Sequence, residues 1–318
     1  MTKIIMFLFL ALFLKAFCEF KIFDGSRLTE FSYSIDQNYD ASKPVSIETF
    51  DQKMISYYSW FASYGYCEDI FVPLFCCKND FEFFTGKWNM INEGVTDKFF
   101  VYNFILWRND EFKKYIAAFP GTNEVLELIN EIIQSKLVNY DEDGQIKVVN
   151  YFKKVVFEIK DMLFTPEILE DIIAHPGYQF ISTGHSLGGA IASLMLYDAV
   201  NNGYIDPKKN EPVLITYGQP RTGNKNFVID FNKKIKNVLR VVRDNDIVVN
   251  IPFSPDKNSY THLGGLILIN KDMTEMTYCP QEIGEEYPDK ECRKKFSINF
   301  KYHTHYFNPD INFSKRCY

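Results

Sequence analysis

Long hydrophobic runs are scarce in this chain of 318 residues. The longest, Ile4 to Leu14, covers roughly eleven residues, too few for a helix that must cross a bilayer core of about 30 Å with about 20 residues. No later stretch is long and apolar enough to span one. Basic runs are missing as well. Lys and Arg number 35 against 41 Asp and Glu, a formal net charge of -6, and no basic patch interleaves with aromatics, so nucleic acid is not an expected partner. Metal-type spacings are absent, because the cysteines form no C-x-x-C and no close Cys/His pairing. Histidine is sparse, with only His175, His185, His262, His303 and His305, so few groups are available for proton transfer near neutral pH. Internal repeats and low-complexity tracts are lacking too, and roughly 300 residues suit one large domain.

What is present starts at the N-terminus. Lys3 precedes the short apolar run, and the small residues Ala16 and Cys18 follow it, the pattern of a secretory signal peptide cleaved near Cys18. The expected organisation is therefore a signal over residues 1–18 and a single domain over 19–318, with an N-terminal extension of about 19–48. Cleavage would leave Cys67, Cys76, Cys77, Cys279, Cys292 and Cys317. An even set in an oxidising compartment favours three disulfides, and the adjacent Cys76 and Cys77 suit separate partners. Asn312-Phe313-Ser314 is an N-glycosylation sequon. Aromatic residues make up 17% of the chain, which fits either an aromatic core or an apolar groove for substrate.

Hydrophobic periodicity gives the elements. Thr49 to Tyr66 has helical spacing through Met54, Tyr57, Tyr58 and Phe61, and Asp80 to Ile91 reads as loop. Strand-like runs at Phe99–Leu106 and Lys114–Phe119 flank Asn109-Asp110-Glu111, as in a hairpin. An amphipathic helix over Glu124–Leu137 places Val125, Leu128, Ile129, Ile132 and Ile133 on one side. A turn at Asp141–Gly144 and a helix over Tyr151–Met162 follow, then a loop containing Pro166. Further strands are expected at Val213–Gly218, Val238–Val242 and His262–Ile269. Strands alternating with helices predict an α/β fold, with a predominantly parallel central sheet and helices on both faces.

The most informative segment is Tyr178 to Asp198, YQFISTGHSLGGAIASLMLYD. Gln179–Thr183 reads as a strand and Ala190–Ala199 as a helix, with Gly184-His185-Ser186-Leu187-Gly188 between them. This is the G-x-S-x-G pattern of a nucleophile elbow, in which a strained serine sits at the tip of a strand-to-helix turn. Gly184, Gly188 and Gly189 let strand and helix pack closely. The backbone N–H of Leu187 lies at the positive end of that helix, where it can face an oxyanion.

A serine nucleophile needs an acid and a histidine, and in the α/β-hydrolase order both follow the serine. That excludes His175 and His185 and leaves His262, His303 and His305. Asp244 and Asp246, just past the strand ending at Val242, are both placed as the acid.

At this point the residues resemble the class 3 lipases, from about Thr49 to the C-terminus. The strongest pieces are GHSLGGA, Tyr217-Gly218-Gln219-Pro220-Arg221-Thr222-Gly223-Asn224, and Asp246-Ile247-Val248 with Pro252. The resemblance implies an α/β-hydrolase fold with Ser186, Asp246 and His303 as catalytic triad, the histidine lying in His303-Thr304-His305-Tyr306-Phe307. His305 is the alternative base, and His262 is assigned to packing. It also implies an oxyanion hole from the backbone N–H groups of Leu187 and Thr122, the latter in Phe119-Pro120-Gly121-Thr122, where Pro120 stands in place of the family's arginine. Val249 and Tyr151 are further departures, standing where relatives carry proline and glycine. Residues 123–137 fall in the family's lid region, and Cys67 with Cys317 would reproduce a family-like disulfide.

The function so implied is a secreted serine esterase that hydrolyses lipid carboxylic esters of the triacylglycerol type through an acyl-enzyme, without metal or organic cofactor. Its partner would be a lipid ester at a lipid–water interface, with transient contact with a membrane or lipid droplet. The alternatives are a phospholipase, a monoacylglycerol or aromatic-ester esterase with the same triad, or an inactive lipid-binding protein on a lipase scaffold.

Overall fold

The computed structural model describes residues 45–46, 89–96, 102–122, 125–253, 260–279, 300–307 and 311–312. The expected helix at Thr49–Tyr66, the signal segment, and every cysteine but Cys279 lie outside these residues. Cys279 is disulfide-bonded, to a partner that also lies outside them.

Five strands run parallel through the middle of a nine-stranded sheet: β4 (Lys114–Phe119), β7 (Gln179–His185), β8 (Val213–Tyr217), β9 (Asn237–Arg243) and β10 (Leu266–Ile269). Antiparallel strands complete both flanks. Beyond β4 come β3 (Tyr102–Asn109) and β2 (Asn89–Thr96), and beyond β10 come β11 (Met276–Cys279) and β1 (Val45–Ser46). Every residue of β4, β7 and β8 is buried. A strand covered on both faces has no polar side to show, which is why Val213-Leu214-Ile215 reads as a continuous apolar run. The β3–β4 hairpin forms as the sequence predicts, with Ile105 opposite Ala118 and Asn109 opposite Lys114.

Helix α4 (Leu187–Asn201) lies at the centre of the molecule and packs against β4, β7 and β8. Every residue from Leu187 to Ala199 is buried, so the helix is covered around its whole girth, with the polar Ser193 and Asp198 hydrogen-bonded within the interior. Against it packs α2 (Asn150–Leu163), which turns Phe152, Val155, Val156, Ile159 and Leu163 inward.

Several boundaries differ from the sequence reading. The Pro166 segment is not a loop but helix α3 (Pro166–Ala174). Thr165 Oγ1 accepts the Ile168 N–H at 3.4 Å as N-cap, and Pro166 occupies the first turn, where a missing N–H costs nothing. Asn89–Ile91 belongs to β2 rather than to a loop, and only Leu266–Ile269 of the expected His262–Ile269 strand enters the sheet. The amphipathic helix is α1 (Val125–Gln134), after which Leu137 begins β5 (Leu137–Asn139), paired with β6 (Lys147–Val149).

Asn224 shows what one motif residue does for the fold. Its Oδ1 accepts the N–H groups of Phe227 at 3.0 Å and Lys147 at 3.1 Å, and its Nδ2 donates to the Gln145 carbonyl at 2.8 Å. It therefore caps α6 (Lys225–Lys234) and ties that helix to β6. Asn224→Ala should lower the unfolding free energy by about 2 kcal/mol, the cap plus the buried groups left unpaired. Asn224→Asp, which keeps the acceptor, should lose less; urea unfolding of the three proteins measures both.

Candidate active site

Strand β7 delivers Ser186 to the edge of the sheet, and α4 begins immediately after it. The residue between them has no regular conformation to adopt. Ser186 sits at φ 57, ψ -125, a positive φ that L-residues visit rarely, held by Ser186 N donating to Tyr217 O at 2.8 Å and Gly189 N donating to Ser186 O at 3.0 Å. The close approach depends on Gly188, where an added Cβ would stand 2.0 Å from the Phe119 carbonyl oxygen and 2.6 Å from that of Pro120. The loop leaving β4 is thus pressed onto the first turn of α4. Thr122 follows in that loop, three residues past Phe119, and Leu187 is the first helical residue, with an N–H among those that have no partner inside the helix.

The other residues arrive from far along the chain. Asp246 lies just past β9, in the turn before a short 3-10 helix (Val248–Asn250), and its Oδ1 accepts the Val248 N–H at 2.8 Å. His303 lies in α7 (Lys301–Thr304), and its Nδ1 donates to Asp246 at 2.9 Å from Oδ2 and 3.1 Å from Oδ1. The hydroxyl of Tyr306, in β12 (His305–Phe307), also donates to Asp246 Oδ2. Ser186, Asp246 and His303 are each 0% exposed. Two polar atoms of this buried group have no hydrogen-bond partner, Ser186 Oγ and His303 Nε2.

The alternative residues go elsewhere. Asp244 accepts its neighbour Asn245 N–H at 3.0 Å. His305 bonds Thr304 Oγ1 through Nδ1 at 2.9 Å, and buried His262 donates Nε2 to the Val249 carbonyl at 2.6 Å. His303 is the histidine that meets Asp246 by hydrogen bond.

Three further features hold His303 in place, of which the sequence reading anticipates only a packing or turn hydrogen-bond role for His185. His185 donates Nε2 to the His303 carbonyl at 2.8 Å, and the two rings lie 4.5 Å apart between centroids. Arg243 donates to the His305 carbonyl at 2.8 Å and to the Lys271 carbonyl at 2.6 and 3.2 Å, with the Tyr302 ring 5.0 Å from its guanidinium. Gly218, at φ 58, leaves room for the pair, since a Cβ there would come within 3.0 Å of His303, Tyr306 and Asp246. His185, Gly218 and Tyr306 each lay inside a quoted motif, whereas Arg243 carried no signal. Among the described residues no group of three or more His, Cys, Asp or Glu is placed to hold a metal ion.

This arrangement, a positive-φ serine between a parallel strand and a buried helix with an Asp–His pair at the same sheet edge, defines the α/β-hydrolase class. The fold is that of fungal lipases: the triacylglyceride lipase of Rhizomucor miehei superposes with a TM-score of 0.73 at 22% identity, covering 87% of this chain and all of the other. The model of the family "Lipase (class 3)" matches residues 116–255. A lipase of Rhizopus niveus is 26% identical over 265 residues, 79% of this chain, which spans 63% of that relative's length. A phospholipase A1-Igamma1 of Arabidopsis thaliana is 42% identical over 73 residues, 22% of this chain and 14% of its own. Over residues 116–255 the chain is thus similar to the class 3 lipase family.

His185 also makes the site sensitive to acid. Burial pushes its imidazole well below the ordinary histidine pKa, and the neighbouring His303 adds to the shift. The folded state then resists protonation that the unfolded chain accepts, so stability is complete above about pH 6.5 and falls as pH drops below it. The expected slope from this one group is at most about 1.4 kcal/mol per pH unit. Urea unfolding between pH 7 and pH 5 should show this loss, and His185→Gln should flatten it.

Proposed function

We propose that this protein is a serine carboxylic ester hydrolase acting on lipid esters of the triacylglycerol type, with Ser186, Asp246 and His303 as its triad. The observation that carries the reading is the buried Asp246–His303 pair, 2.9 Å apart at the same sheet edge as a positive-φ serine whose hydroxyl has no other partner. Asp246 accepts the Nδ1 proton of His303, which leaves Nε2 as the lone-pair site for the serine proton. Ser186 Oγ attacks the ester carbonyl while His303 Nε2 takes its proton. The N–H groups of Leu187 and Thr122 stabilise the tetrahedral oxyanion. His303 returns the proton to the leaving alcohol, and an acyl group remains on Ser186. Water then attacks this acyl-enzyme with His303 again as base, releasing the carboxylic acid. None of these steps calls for a metal or an organic cofactor.

A lipid substrate is supported by the lipase relatives and by the closed state of the site. Ser186 is inaccessible, so a surface segment must move before an ester reaches it. Helix α1, close after Thr122, is the proposed lid, and the half-exposed Ile133 on it suits contact with a lipid–water interface, whether membrane or lipid droplet. A secreted setting fits the leader-like residues 1–18 and the disulfide at Cys279. The local identity to a phospholipase supports a second reading, with the same triad acting on a phospholipid ester.

Ser186→Ala should abolish hydrolysis of p-nitrophenyl butyrate and of triolein emulsions while leaving the circular dichroism spectrum unchanged; retained turnover overturns the assignment. Asp246→Asn should lower kcat by about 10⁴, because the His303 ring loses the partner that fixes its tautomer. Rates on triolein against phosphatidylcholine in matched emulsions decide between the two substrates.

A further inference from the structure

The loop bearing Thr122 has an anchor that the motif does not contain. Tyr102, the first residue of β3, is 5% exposed, and its hydroxyl donates to the Pro120 carbonyl at 2.7 Å within the protein interior. Pro120 stands just past the last residue of β4, whose final ladder partner is Phe119 opposite Gly184. A proline has no N–H, so this residue cannot be fixed by donating a backbone hydrogen bond. Its carbonyl is the group left to hold it. One side of the loop lies against α4, where Phe119 O and Pro120 O stand 2.0 and 2.6 Å from the position of a Gly188 Cβ. Between Pro120 and Thr122 lies only Gly121, whose backbone is the least restricted of any residue. The orientation of the Thr122 N–H therefore depends on how firmly the Pro120 carbonyl is held.

We infer that Tyr102 is a positioning residue for the oxyanion hole: its hydroxyl fixes the Pro120 carbonyl and through it the Thr122 donor. This rests on the proposed function. Tyr102 touches neither the ester nor the reacting atoms. Its effect falls on the transition state, where charge reaches the carbonyl oxygen, and not on the resting ester. The hydroxyl also belongs to β3, two strands from Ser186, so the sheet itself sets the position of the second donor.

The test is Tyr102→Phe in the full chain, which removes one oxygen and keeps the ring. Active sites are counted by end-point titration with a fluorophosphonate, so that any misfolded fraction drops out. The expected result is a kcat per titrated site about tenfold lower on p-nitrophenyl butyrate, with KM within about twofold, since loss of a whole donor typically costs ~10²–10³. Affinity for an alkyl boronic acid, whose adduct with Ser186 places an oxygen in the hole, should weaken in parallel. A purely structural role for Tyr102 would reduce the number of titratable sites and leave both per-site values unchanged, and that result overturns the inference. Should Ser186→Ala retain activity, the proposed function fails first; a null result in Tyr102→Phe with an inactive Ser186→Ala sinks the positioning role alone.

Discussion

The whole site hangs on a backbone-to-backbone contact at the start of the central helix. Gly188 lies so close to the carbonyls of Phe119 and Pro120 that no side chain fits between them. That contact does two things at once. It lets α4 begin directly after β7, which forces Ser186 to φ 57 at the tip of the turn. It also presses the loop after β4 against the helix terminus, where N–H groups without helical partners gather. The proposed nucleophile and the loop proposed to carry an oxyanion donor thus share one packing contact. Strain at a single serine, of order 1–3 kcal/mol, is tolerated because the buried helix behind it over-determines its position.

The histidine end of the site follows a different physical logic. His303 is carried on a four-residue helix and a three-residue strand, elements too short to be rigid on their own. Its rigidity is supplied by polar contacts from the sheet. His185 holds its carbonyl, Arg243 holds that of His305, and Asp246 takes hydrogen bonds from both His303 and Tyr306. Arg243 comes from the end of β9, the same strand that leads into Asp246, so one strand positions Asp246 and clamps the segment that carries His303. Burial makes these bonds strong, and it makes an unpaired partner costly. The neutral state that burial imposes on His185 belongs to the same design, for a charged imidazole there would face His303 in a dry interior.

Much of this was legible in the sequence because it rests on local pattern. The elbow reads from three glycines and a serine between two apolar runs, and the parallel strands read from continuous apolar stretches. Asp246 and His303 were picked out through family resemblance, and the structure brings them into hydrogen bond. What stayed hidden was either polar or distant. Helix α3 was missed because Pro166 punctuates a loop as readily as it opens a helix, and only the Thr165 cap decides between them. Arg243 reads as one more charged residue at a strand end, and nothing nearby in sequence announces a carbonyl 62 residues away. Tyr102 likewise passes as one aromatic among many in a chain rich in them.

These two halves explain where variation in the family can be absorbed. Pro120 stands where the resemblance to class 3 lipases implies an arginine, and it brings neither that side chain nor a backbone donor to the proposed oxyanion loop, which would loosen a loop held by either. Here the loop is gripped on one side by the helix and on the other by the Tyr102 hydroxyl, and neither grip needs the residue at 120 to be anything but a carbonyl carrier. Tyr151, a second departure, sits at the start of α2 with its N–H bonded to Ser135 Oγ at 3.0 Å, so its side chain extends from a fixed helix start and leaves the elbow packing to Gly188. Substitution is thus permitted where a main-chain atom makes the contact, and barred at Gly188 and Gly218, where the contact is made by the absence of a side chain. A sheet edge built this way can exchange the side chains around Ser186, Asp246 and His303 without moving the three residues themselves.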